Sequence, residues 1–209
     1  MRFVIAAAAA ALLLPACAPQ ETGPAAAAPA IGAWRGIATL HDRERVRKWR
    51  NAWVRALAQA REAGHGAEIA GAGPLFQADA ALKGAQPPAG DYRCRTVKIG
   101  ARSEGLLDYV AYPFFDCRIA GGALPPLDFV KLTGSQRPVG RLYADTDRRM
   151  IFLGTMQLGD ERGTLRYGHD RDRDMVGLVE RVGERQWRLV FPWPAYESNL
   201  DVIELLPKE

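Results

Sequence analysis

The chain has 209 residues, 48% of them hydrophobic and 25% charged, with 28 lysines and arginines against 24 aspartates and glutamates. A formal charge of +4 is too small to argue for nucleic-acid binding. Composition alone singles out no activity.

Met1-Arg2 is followed by an apolar run from Phe3 to Leu14. One positive charge ahead of a short alanine- and leucine-rich core is the layout of a secretory signal. The run is too short to span a bilayer, which takes about 20 residues. It ends Leu14-Pro15-Ala16-Cys17, which resembles the bacterial lipobox. Residues 1–16 are therefore expected to be a signal peptide and Cys17 the lipidated residue. Because Ala18 is not aspartate, the expected location is the periplasmic face of the outer membrane. Pro15 stands where a small or β-branched residue is commoner. Plain cleavage after Ala16 or Ala18, leaving a soluble periplasmic protein, is the alternative. Residues 17–30 read as an Ala/Pro-rich tether that cannot build a core. Residues 31–209 fit a single domain with a sizeable core.

Within that domain, residues 31–90 read as helical and 91–209 as β. Val46, Trp49, Trp53, Leu57 and Ala60 recur at spacings of three and four, which predicts a helix from Leu40 to Gly64. Asp42 is the expected cap, and Gly64 and Gly66 the stop. The stripe is expected to pack on the domain, while Arg43, Arg45, Arg47, Lys48, Arg50, Arg55 and Arg61 face water. After a glycine-rich break, Pro74–Lys83 suggests a second short helix.

From Asp91 onward, short apolar and β-branched runs alternate with turn residues. The expected strands are Tyr92–Ile99, Tyr109–Ile119, Phe129–Leu132, Gly140–Tyr143, Arg149–Met156, Thr164–Tyr167, Met175–Val182, Gln186–Phe191 and Leu200–Leu206. Gly183-Glu184 suits a two-residue hairpin turn. Strands this closely spaced favour an antiparallel meander. The expected fold class is thus α+β: an antiparallel barrel or curled sheet of seven to nine strands with an N-terminal helical segment.

Export would put Cys94 and Cys117 in an oxidising compartment, where a disulfide is the default. Closing a loop of about 24 residues is worth about 3 kcal/mol by chain entropy. Directly opposed cysteines on neighbouring strands would set Thr96 beside Phe115 and Tyr92 beside Ile119.

Little in the sequence carries chemistry outright. His169-Asp170-Arg171-Asp172-Arg173-Asp174 spaces its aspartates like the start of a calcium loop, but Met175 and Arg181 stand where glycine and glutamate are required. A solvated turn is expected there, and no metal or other cofactor. His41, His65 and His169 are widely separated, and no HExxH, Walker loop or dinucleotide fingerprint occurs. Lys131-Leu132-Thr133-Gly134-Ser135-Gln136-Arg137-Pro138 is the most distinctive polar segment. Ser135 lacks the G-x-S-x-G elbow, whereas Arg137 suits a carboxylate or phosphate. Phe191-Pro192-Trp193-Pro194-Ala195-Tyr196-Glu197-Ser198 could rim a site for a ligand or partner, or equally form a stiff link folded across the end of a barrel. Ser135, Gln136, Arg137 and Trp193 are the candidate binding residues, and no catalytic residue is assigned.

Several segments together resemble an uncharacterised family of alphaproteobacterial exported proteins, known only as a domain of unknown function. These are Tyr92-Arg93-Cys94-Arg95, the Lys131–Pro138 segment, Phe152-Leu153-Gly154, Gly159-Asp160-Glu161, Gly177–Arg181, Trp187–Val190 and Glu197–Val202. The resemblance implies a common domain and no activity. In architecture alone the chain is similar to lipocalin-type barrels and to small barrel inhibitors of bacterial metalloproteases. The leading expectation is a non-catalytic envelope lipoprotein that binds a small ligand or a protein partner. A periplasmic hydrolase built from scattered polar groups and a structural docking protein are the alternatives.

Overall fold

The computed structural model describes residues 30–209. The expected signal peptide, Cys17 and the expected tether up to residue 29 lie outside the described residues. The fold is α+β, as the sequence pattern predicts. Its helices come first: α1 (Trp34–Ile37), α2 (Leu40–Arg47), α3 (Trp49–Glu62) and α4 (Gly66–Gly71), then a 3-10 turn at Gly73–Phe76. The strands are β1 (Gly90–Ala101), β2 (Tyr109–Ala111), β3 (Phe115–Ala120), β4 (Leu127–Lys131), β5 (Gln136–Thr146), β6 (Arg149–Leu158), β7 (Asp174–Gly183), β8 (Gln186–Pro192) and β9 (Ser198–Pro207). From β3 each strand pairs antiparallel with the next, and β9 returns to β1, which also pairs with β3. Eight strands thus close a barrel, and β2 is one extra strand on β1.

The expected strand Tyr109–Ile119 is divided into β2 and β3, both on one edge of β1. Pro113 lies between them and has no N–H to give to a ladder. The expected strand Thr164–Tyr167 does not form. Its alternation serves another contact: Tyr167 donates its hydroxyl to Asp42 Oδ2 at 2.6 Å and so fastens the β6–β7 connection to α2. The β7–β8 loop is Glu184-Arg185, one residue later than expected, because the register shifts between Arg181 and Gly183.

Cys94 and Cys117 are bonded, on neighbouring antiparallel strands. The register differs by two residues from the expected one: Cys94 faces Phe115 and Tyr92 faces Cys117. The cysteines are diagonal neighbours, brought to 5.9 Å between Cα atoms. Diagonal positions on one face of a twisted sheet also fall within bridging reach, so the bond fixes the shared face rather than the register.

The expected single helix Leu40–Gly64 breaks at Lys48, where φ is −97° and ψ 15°. Its cap is Thr39, which accepts the Asp42 N–H. Asp42 is instead buried, and so is Arg45, which was expected to face water. Arg45 donates to Asp42 at 2.9 Å and to the carbonyls of Pro192 and Asp174. It therefore ties α2 to the barrel. Pro74–Lys83 forms only the end of the 3-10 turn, while a helix, α4, occupies the expected glycine-rich break. Fully buried Arg188 takes up the carbonyls of Pro74, Leu75, Gln77 and Ala78, and its charge is met by Glu180 at 2.7 Å. Carbonyls held by a guanidinium are not available to build a longer helix.

Alternation divides each strand into an inward and an outward face. Val97, Ile99, Ile151, Leu153, Val176, Leu178, Val190, Leu200 and Val202 point outward and still lie in a core, because Trp53, Leu57, Leu75 and Phe76 cover them. Ala52, Ala56 and Ala60 let α3 sit close. A Cβ at Gly100, whose φ is +71°, would come within 2.8 Å of the Ala56 Cα. Strands β7–β9 are therefore buried on both faces, while β3 and β4 alternate. The inward residues form a second core inside the barrel. Among the described residues no helix is long and apolar enough to cross a membrane.

Candidate functional site at the open end of the barrel

The strand register places the inward side chains in layers. At one end lie Tyr92, Ile119, Leu127, Leu142, Met150, Val179, Trp187 and Leu205, all buried. The middle layer is aromatic. Phe152 meets Phe129 edge-on at 5.8 Å and Phe191 at 5.6 Å between ring centroids. The rings fit because Gly140, Gly154 and Gly177 carry no side chain towards them. A Cβ on Gly140 would lie 2.8 Å from the Phe152 ring, and one on Gly177 2.7 Å from Leu189.

At the other end the filling stops. A cavity of roughly 390 Å³ opens there, with Met156, Leu158, Met175, Pro194, Ala195 and Tyr196 among its walls. Lys98 from β1 and Asp201 from β9 reach into it. Lys98 Nζ lies 2.8 Å from Glu197 and 3.5 Å from Asp201. Burial opposes the charge on Lys98, but the two carboxylates outweigh it and hold its pKa above the ordinary lysine value. Burial raises the pKa of Asp201, against Lys98 and a hydrogen bond from the Ser198 hydroxyl. The Glu197 carboxyl is held below its usual pKa, chiefly by the hydrogen bond from Lys98.

A recess of roughly 70 Å³ adjoins this cavity and shares Lys98 and Gln136 with it. Lys131 from β4 lines the recess and is 4% exposed. Its ammonium donates to the carbonyls of Thr133 at 2.9 Å and Gln136 at 3.0 Å, and lies 3.9 Å from the Phe115 ring centre. Burial pushes its pKa down to about 8, with Arg137 and Lys98 acting in the same sense.

The four candidates from the sequence are only partly brought together. Gln136 lines both spaces and reaches Glu197 Oε1 at 3.4 Å. Ser135 lines the recess, beside lysines and aromatic rings rather than a histidine. Arg137 is one residue on and so takes the outward face of β5. Its guanidinium donates to the carbonyls of Gly134, Gly159 and Glu161. Trp193 turns to the helices and has Arg55 5.8 Å from its ring centre. His41 neighbours Arg171 outside the cup, and His65 stacks on Tyr109. The Asp170–Asp174 segment is a turn closed by the Asp172 N–H on Asp170 Oδ1. Among the described residues no group of three or more histidine, cysteine or acidic side chains is placed to hold a metal.

Lys98, Asp201, Met156 and Met175 were not picked out from the sequence, and Glu197 only as part of the Phe191–Ser198 segment. One signal was available. Lys98 shares the inward parity of β1 with Tyr92 and Cys94, and Asp201 that of β9 with Ile203 and Leu205, where an ionised side chain needs a partner.

A family model described as a domain of unknown function, DUF4893, matches residues 34–205, and the chain belongs to this family. No curated protein and no solved structure matches the chain.

Proposed function

We propose that this chain, as a member of that family, is a non-catalytic binding protein whose open barrel end takes up a small ligand with an apolar body. One observation carries the reading. The same barrel interior is packed solid with aromatic rings in its middle and left open over roughly 390 Å³ at its mouth. Mainly apolar clefts of about 300–1,000 Å³ with a few convergent polar groups are typical small-molecule sites. Closure by eight strands is also the size at which a barrel holds one small ligand, as in lipocalins.

The neutral fluorophore N-phenyl-1-naphthylamine tests this. Titration into the full-length chain is expected to give a saturable fluorescence rise. Met175→Trp, which fills the cup, is expected to weaken binding at least tenfold. Equal binding by both forms contradicts the reading.

The leader motif supports a further part of the same proposal: a lipid on Cys17 holds the barrel at the periplasmic face of the outer membrane. Labelling cells with a fatty-acid probe is expected to mark the wild-type chain and not Cys17→Ser. An unmarked wild type rejects the anchor.

A further inference from the structure

Lys131 is an ammonium without a counter-charge. Among the described residues it makes no salt bridge, although it is almost fully buried. Two carbonyls and the Phe115 ring face it. Buried charges are ordinarily paired. No acid lines the recess that Lys131 shares with Thr96, Lys98, Tyr112, Ser135 and Gln136. The recess has room for a small polar group, and it adjoins the apolar cup, with Lys98 and Gln136 lining both.

Glu197 stands at that junction. Its carboxylate meets Lys98 on β1 and Gln136 on β5, the two residues that line both spaces. It does so from a residue with φ +65°. That left-handed conformation is strained for a non-glycine residue. A strained residue thus presents a carboxylate to one lysine of the pair while the other has none.

We propose that the ligand is an amphipathic carboxylate: its apolar chain fills the cup, its carboxylate lies in the recess between Lys98 and Lys131, and Glu197 leaves Lys98 to admit it. The proposal rests on the reading of the open end as a ligand cup. The cup's own acids do not make it a cation site of equal quality. Asp201 is engaged by Lys98 and Ser198, Glu197 by Lys98, and Asp174 accepts the Gly168 N–H; Asp172 is exposed at the rim, on a wall that also carries buried Arg45. A carboxylate beside Lys131 gains a partner for a buried charge, whereas an alcohol does not.

Calorimetric titration of the full-length chain with dodecanoate, dodecanol and dodecylamine, below their micellar concentrations, separates the possibilities. Dodecanoate is expected to bind at least tenfold more tightly than dodecanol. Lys131→Met should abolish that preference, while Lys131→Arg keeps it. Glu197→Gln should tighten dodecanoate several-fold, because it removes the competing carboxylate. Equal binding of acid and alcohol, or tightest binding of the amine, overturns the carboxylate assignment and leaves the cup intact. Weaker dodecanoate binding by Glu197→Gln overturns the displacement. If none of the three amphiphiles binds the wild type, the cup reading falls with it.

Discussion

The two ends of the barrel interior are built by the same eight strands and differ in what those strands point inward. At the packed end and in the middle the inward residues are large and apolar, and three glycines make room for Phe129, Phe152 and Phe191. At the open end the inward residues are lysines, an aspartate, a glutamine and two flexible methionines around empty space. The aromatic middle braces the barrel, so the mouth is left free of a core's duties. A half-filled barrel with a charged mouth has the layout of a container.

That contrast predicts unequal responses to truncation. Phe152→Ala removes a ring with two edge-on partners, and it should destabilise the fold by about 3–5 kcal/mol. Met156→Ala removes a side chain that borders open space, and it should cost under about 1.5 kcal/mol, because little new cavity is made. Urea unfolding of the two variants reads the difference, and equal losses would erase the distinction between the ends.

A second, smaller effect belongs to the mouth. Lys131 has a pKa of about 8 in the fold against 10.5 in the unfolded chain. The unfolded state therefore binds more protons between those values, and stability rises with pH across that window. Below pH 8 the buried charge works against folding in full. The charges acting on it are those of Arg137 and Lys98, both of its own sign. Lys131→Met is accordingly expected to raise the melting temperature by a few degrees at pH 7. The gain should fade as pH climbs from 8 to 10.5. A gain that stays constant with pH would show that folding does not shift the Lys131 pKa.

Much of this contrast is written in the sequence at the level of single strands. Trp187, Leu189 and Phe191 share a face by alternation, and all three do enter the barrel core. The helical stripe through Trp53, Leu57 and Ala60 is buried as its spacing predicts. What alternation cannot supply is the partner of a polar residue far along the chain. Arg45 looks like one more surface arginine until Pro192 and Asp174, on distant strands, turn carbonyls toward it. Thr164–Tyr167 looks like a strand because local pattern does not reveal that its aromatic is taken by Asp42.

The site follows the same rule. Ser135 and Gln136 are visible as an unusual polar segment, but they fall between the expected strands Phe129–Leu132 and Gly140–Tyr143. The strand nevertheless starts at Gln136. Pro138 is tolerated because β4 has stopped pairing with β5 beyond Val139, and so no partner there needs its missing N–H. Arg137 attracts attention by its charge, yet one-residue alternation sends it outward to loop carbonyls. Lys98 and Asp201 become prominent only once barrel closure brings β1 and β9 together, with Lys98 opposite Asp201.

The methionines permit the most direct test, because Met156 and Met175 line the open end and Met150 lies in the packed one. With ¹³C-methyl-methionine protein, titration of N-phenyl-1-naphthylamine is expected to shift the Met156 and Met175 methyl resonances along one saturable curve and leave Met150 in place. Saturable binding that leaves the Met156 and Met175 methyls unmoved would contradict the assignment of the open end as the ligand site.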